Sequence, residues 1–258
     1  MNDNKTIDIT VDGAFGLLTS TISFLSPSLG IAAIAAAPAL AEKLKEWLKS
    51  LVKQGKITQR ECLRMTDGID GMTETLSVFK DKETLRNDSL FKCNNDGFCD
   101  ADDIFELILN QIKQDSEKKK AFYCGNFIGN IPYAYDLNYS NLIQYSRTIS
   151  QLSYSEFCIL RVFHISYKDK GVSFSKAEKY VKTNEDAEAC EFLSEILHLR
   201  NLGLLHSIPP YQLGENVGNV IISMSGIRLS ELMRLNVLDV NDVNKSLGIL
   251  QKMTKYMD

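Results

Sequence analysis

Twenty-nine consecutive residues without a charge, Gly13 to Ala41, constrain this chain more than any other feature. Such a run has to be covered, either by lipid or by the protein's own interior. From Phe15 to Ile34, nine of twenty residues are Leu, Ile or Phe. At about −0.3 to −0.6 kcal/mol each, they favour membrane insertion by roughly 3 to 5 kcal/mol. Six Ser or Thr residues, two glycines and Pro27 oppose it, so the balance lies near zero. Twenty residues of helix reach about 30 Å, just enough to span a bilayer. Pro27 falls mid-segment, which favours two short helices with a break over one straight span. Small Ala and Ser faces equally suit close packing inside a helical body, and that reading is preferred. The residues expected to touch a partner, or a membrane under some conditions, are Phe15, Leu17, Leu18, Ile22, Phe24, Leu25, Ile31 and Ile34. Lys43, Lys45 and Lys49, on the helix that follows, add a charge that anionic lipid would attract.

That helix is expected to open at Pro38, whose missing N–H costs nothing in a first turn, and to close at Gly55. Leu40, Leu44, Trp47, Leu48 and Leu51 share one face by 3–4 spacing. Thr58 and Glu61 then form a capping-box pattern. The helix behind it carries Cys62, Met65, Ile69, Met72, Leu76 and Phe79 at alternating intervals of three and four, a heptad seam. The short connection implies an antiparallel helical hairpin, and Gly68 and Gly71 would let a neighbour approach closely. Residues 81 to 100 read as a polar loop. A helix from about Asp102 places Phe105, Ile108, Ile112, Tyr123 and Phe127 inward, breaks near Asp115 and Ser116, and ends at Gly129 and Pro132. A short helix over 140 to 150 turns Leu142, Tyr145 and Ile149 inward.

From Ser153 the pattern changes. Ser153 and Glu156 make a second capping box. A short segment, KAEKYVK, is expected to be helical with Ser173 or Ser175 as its cap. EDAEACEFLSEILHLRNLG reads as a strong helix with an acidic first turn and Gly203 at its end. LLHSI and NVIISMS are strand-type runs, SGIRLSELMRL returns to helix, and a last helix carries Val243, Leu247, Leu250 and Met257. Three helices, a β-hairpin and a further helix is the order of a winged-helix domain. The expected fold is therefore mainly α. A helical body with a helical hairpin fills residues 1–150, and a winged-helix-like domain with a small β-hairpin plus a C-terminal helix fills 151–258.

LSYSEFCILRVF, LHLRNLGLLHSI and ISMSGIRLSELM occur in that order, behind an apolar segment containing Ala and Pro and a helix reading KKKAFYCGNFIGN. In these segments the chain resembles the bacterial abortive-infection alpha-type family, over about residues 30 to 235. The shared patterns are helix packing rather than catalytic signatures, so no active-site residue carries over. The resemblance implies a helical body with a winged-helix-like end, a role in anti-phage defence, and a place in the bacterial cytoplasm or at its membrane face.

The chemistry-bearing residues narrow the choice of function. The start, MNDNKTIDITVDG, sets Asp3, Asp8 and Asp12 against Lys5, unlike the basic start of a secretory signal. Six cysteines, at 62, 93, 99, 124, 158 and 190, contain no CxxC and read as reduced core thiols. In KCNNDGFCDADD, Gly97 takes the turn position of a calcium loop, with Asn94 and Asp96 as ligand matches. Lys92 stands where a carboxylate is required, Asp103 stands where a bidentate Glu is, and Cys99 intrudes, so a plain turn before an acidic helix start is preferred. Only His164, His198 and His206 could serve as histidine bases or ligands, and no GxSxG, P-loop, GxGxxG or HExxH pattern occurs. Tyr133, Tyr135, Tyr139 and Tyr145 surround a Pro-containing turn, as a small-ligand surface or as packing between central helices and C-terminal domain.

A winged helix suggests DNA, but its third helix carries Glu185, Asp186, Glu188, Glu191 and Glu195 against Arg200. Residues 153 to 235 hold nine Lys or Arg and ten Asp or Glu. The phosphate-attracting term is missing. The function expected is a non-enzymatic defence protein, without cofactor or metal, acting through a protein partner, self-association or conditional membrane contact. The alternative is a winged-helix transcriptional regulator.

Overall fold

The computed structural model describes residues 30–79, 85–92, 94–95, 99–166, 172–173, 187–208 and 219–255. The fold is mainly helical, with a small antiparallel sheet toward the C-terminus. It divides into two compact units, Met1–Arg147 and Thr148–Asp258.

In the first unit, α1 (Gly30–Lys53) and α2 (Gln59–Phe79) form the expected hairpin. Gly55 closes α1 at φ +69. Its N–H reaches the Val52 carbonyl and the Lys56 N–H reaches that of Leu51, the bond pair of a Schellman cap. At the start of α2, Glu61 Oε2 accepts from the Thr58 N–H at 2.6 Å and Thr58 Oγ1 accepts from the Glu61 N–H at 3.2 Å. The start of α1 differs from expectation. The helix begins by Gly30, so Pro38 lies in its interior and not in its first turn. Proline removes one main-chain bond, at a cost of about 3 kcal/mol. Alanines at 32, 33, 35, 36, 37 and 39 are the strongest helix formers, and they carry the helix through it.

The heptad seam of α2 faces inward: Cys62, Met65, Ile69, Met72 and Leu76 are buried and Phe79 is half-buried. Across it lie α3 (Asp100–Gln114) and α4 (Lys118–Asn130), with Phe105, Ile108, Ile112 and Phe127 in the core. A Cβ added at Gly129 would stand 2.8 Å from the Met72 carbonyl oxygen, and one at Gly71 would overlap the Phe122 carbonyl. Main chain therefore meets main chain between α2 and α4. A 3-10 turn (Ile131–Tyr133) and α5 (Tyr139–Gln151) follow.

The polar loop holds more structure than its composition announces. Its 3-10 turn, Ser89–Phe91, buries Leu90 and Phe91, and Arg86 is only 3% exposed. The Arg86 guanidinium donates to the carbonyls of Ala134 (2.6 Å) and Leu137 (2.9 Å) and through two nitrogens to Asp88 Oδ2.

The second unit contains α6 (Tyr154–Ser166), β1 (Val172–Ser173), α7 (Ala187–Asn201), β2 (Leu205–Ile208), β3 (Asn219–Ile222), α8 (Met224–Leu232) and α9 (Val240–Lys255). The sheet runs β1-β3-β2, pairing Val172 with Val220 and Leu205 with Ile222. It thus has one strand more than the expected hairpin, and Ser173 lies in that strand. The segment KAEKYVK and the β2–β3 connection fall outside the described residues. Gly203 ends α7 at φ +73 with the same bond pair as Gly55. Phe157, Leu160, Phe163, Ile196, Leu199, Val220, Leu229 and Leu250 form the core.

Candidate functional site

Of the residues nominated from the sequence, Phe15, Leu17, Leu18, Ile22, Phe24 and Leu25 lie outside the described residues, as do the side chains of Ile31 and Ile34. The three lysines do not form one basic surface. Lys43 and Lys49 are exposed, whereas Lys45 is half-buried and bound to Asp70 at 2.5 Å and Glu42 at 3.0 Å. Exposed Glu42, Glu46, Lys49 and Lys53 follow one another at intervals of three and four, with Lys43 exposed beside them, so the outer side of α1 carries both signs.

Among the described residues of the second unit, a polar cluster joins the start of α6 to α7. Glu156 is 3% exposed. Its Oε2 accepts from the Ser153 N–H at 2.7 Å, and Ser153 Oγ accepts from the Glu156 N–H at 3.1 Å, the capping box the sequence implies. The other oxygen, Oε1, lies 2.6 Å from His198 Nδ1. Ser155 donates to Glu195 Oε2 at 2.9 Å and Ser153 to Glu195 Oε1 at 3.4 Å. Burial pushes the Glu195 carboxyl above its ordinary range, and the charges of Glu156 and Glu191 push it further against the two serine bonds. Because both hydroxyl protons go to Glu195, neither serine is set up to pass its proton to His198. The arrangement pins two helices together and gathers negative charge on one side of α7. There Glu188 and Glu191 are exposed, Glu195 is half-buried, and Ala189, Phe192, Ile196 and Leu199 face the core. Lys245 of α9 reaches Glu188 at 3.3 Å. Glu185 and Asp186 lie outside the described residues.

In the first unit a cavity of about 240 Å³ opens beside the Arg86 anchor, lined by Asp88, Leu90, Asp100, Tyr135, Asp136 and Tyr139 among others. Tyr139 donates to Asp103 Oδ2 at 3.2 Å. Tyr133 is buried against Phe79, ring centres 5.3 Å apart. The four tyrosines thus divide: Tyr135 and Tyr139 line the cavity, Tyr133 serves the core, and Tyr145 is half-buried on α5.

The calcium-like segment resolves differently. Asp102 is buried, and its Oδ2 accepts from the Cys99 N–H at 2.8 Å, capping its own helix. Cys93, Asp96 and Gly97 lie outside the described residues. Cys62, Cys99, Cys124 and Cys158 are buried and in no disulfide, whereas Cys190 is exposed on α7. Burial pushes the Cys124 thiol up to about 12. Sequence reasoning missed Arg86, because its partners are main-chain carbonyls 48 and 51 residues away. Comparison of the chain with protein-family models, with curated proteins and with solved structures finds no match.

Proposed function

We propose that this is a non-enzymatic protein of bacterial anti-phage defence, of the abortive-infection type, working through protein contacts of its C-terminal unit. The order α6, β1, α7, β2, β3, with β3 between the other strands, supports reading that unit as winged-helix-like. The observation that carries the proposal is the charge on α7. In winged-helix DNA readers the corresponding helix enters the major groove. Here it presents Glu188, met by Lys245 of α9, and Glu191, backed by Glu195, against Arg200. Three carboxylates against Lys245 leave this face negative, so phosphates would be repelled and the counterion release that drives nonspecific DNA binding is small here. A basic protein surface meets the same charges favourably.

The resemblance in LSYSEFCILRVF, LHLRNLGLLHSI and ISMSGIRLSELM supports the defence setting. The test is phage plating on bacteria expressing the chain. The native protein lowers plating efficiency, and Glu188→Lys with Glu191→Lys abolishes that protection at unchanged expression and helicity. Full protection by the double variant would overturn the proposal.

Conditional membrane contact is the second reading, favoured by the uncharged run. No helix among the described residues is long and apolar enough to cross a membrane. With both signs on the outer stripe of α1, lipid binding would rest on the run itself. Co-flotation with anionic liposomes then requires residues 1–37, in extracts of infected cells. Equal and negligible flotation of the full chain and the deletion, before and after infection, would dismiss it.

A further inference from the structure

We propose that the cavity of the first unit binds a primary ammonium group carried on an alkyl chain. Its walls come from three separate stretches: Arg86 to Leu90, Asp100 at the start of α3, and Tyr135 to Tyr139. Three carboxylates, those of Asp88, Asp100 and Asp136, face one cation, Arg86. That cation is already committed. It is buried and bound to Asp88 and to the Ala134 and Leu137 carbonyls, which takes up Asp88 as well, so Asp100 and Asp136 leave the lining negative and suited to a positive guest.

The geometry chooses among cations. Among the described residues no three Asp, Glu, His or Cys side chains converge closely enough to hold a metal ion. Carboxylates spread around a cavity instead match a tetrahedral ammonium, whose three donors point in different directions. A planar guanidinium prefers one carboxylate in its own plane, held by two parallel N–H donors. Tyr135, 54% exposed, and Tyr139, 37% exposed, bring aromatic rings to the opening, and such rings attract cations over their faces. Leu90 and Leu137, both buried, supply apolar wall for the methylene chain. At about 240 Å³ the space falls below that of drug-sized pockets and suits one extended side chain or a short diamine.

This inference is independent of the function proposed above, since it concerns the other unit. Isothermal titration of the full chain tests it. The probes are 1,6-diaminohexane, its neutral counterpart 1,6-hexanediol, and a capped tripeptide with one lysine, run beside its acetyl-lysine form. At least one amine should saturate a single site, at least tenfold tighter than its neutral counterpart. Asp100→Asn with Asp136→Asn should weaken binding at least tenfold, and Tyr135→Ala, a surface change that leaves the fold intact, about threefold. Preference for the peptide identifies a partner's lysine as the source, and preference for the diamine identifies a free polyamine. Saturation by neither amine, equal binding of the neutral probes, or full affinity in the variants would overturn the proposal.

Discussion

Gly125 of α4 rests on the main chain of Gly68 in α2: a Cβ on Gly125 would overlap the Gly68 carbonyl oxygen. Backbone inside two packed helices cannot move aside as a side-chain tip can. Gly125→Ala should therefore cost about 3 kcal/mol, at the upper end for overpacking. Gly248 of α9 has nothing within 4 Å of its would-be Cβ. Gly248→Ala should stabilise its helix by about 0.5 to 1 kcal/mol. Urea unfolding separates the two, with Trp47 fluorescence reporting the first unit and far-UV circular dichroism the whole chain. Equal effects of the two substitutions would contradict the close approach.

Arg86 holds the 85–92 segment against the turn at residues 132–137. Arg86→Met keeps much of the volume but strands the Ala134 and Leu137 carbonyls and unpairs Asp88. The expected loss is about 3 kcal/mol, read from the Trp47 urea midpoint. Burial raises the Asp88 carboxyl, but the Arg86 bond and charge and the Leu90 N–H outweigh it, leaving the group below its ordinary range. A depressed carboxylate stabilises the fold above its unfolded pKa, and that contribution is lost as pH falls through the folded value. The stability gap between the native protein and Asp88→Asn should hold at neutral pH and close in acid below about pH 4. A gap that persists at low pH would contradict the Arg86 pairing.

Glu195 has the opposite sign. Its carboxyl is raised, so ionisation favours the unfolded chain. Stability is highest below the unfolded pKa, falls as pH rises toward the folded value, and stays low above it. Glu195→Gln keeps an oxygen for one serine, turns an amide N–H toward the hydroxyl oxygen of the other, and removes the repulsion from Glu156 and Glu191. The variant should be more stable than the native protein at pH 7, with the advantage vanishing below about pH 4. Thermal melts across pH 3 to 8 measure this. Destabilisation at pH 7 would show that the charge is needed at the α6–α7 junction.

Local signals were legible in the sequence. Both capping boxes, the glycine stops at 55 and 203, the α2 seam and the close approach at Gly68 and Gly71 are set by neighbouring residues or by strict periodicity. Features that depend on distant main chain were not. Arg86 looks like any loop arginine until Ala134 and Leu137 are folded beneath it. β1 is two residues long, too short for alternation to register, and it exists only because β3 pairs with it. Pro38 misled because a local start signal was outweighed by the alanines before it, which carry the helix back to Gly30. As for the site, the acidic side of α7 was readable residue by residue. The cavity was not, because its walls come from three stretches whose proximity no spacing encodes.

The central claim, that α7 meets protein and not DNA, is tested most directly by an electrophoretic shift of duplex DNA with the full chain at low salt. The account predicts no shift for the native protein even at low ionic strength, where charge attraction is least screened. A shift that weakens as salt rises would contradict it and favour a winged-helix regulator.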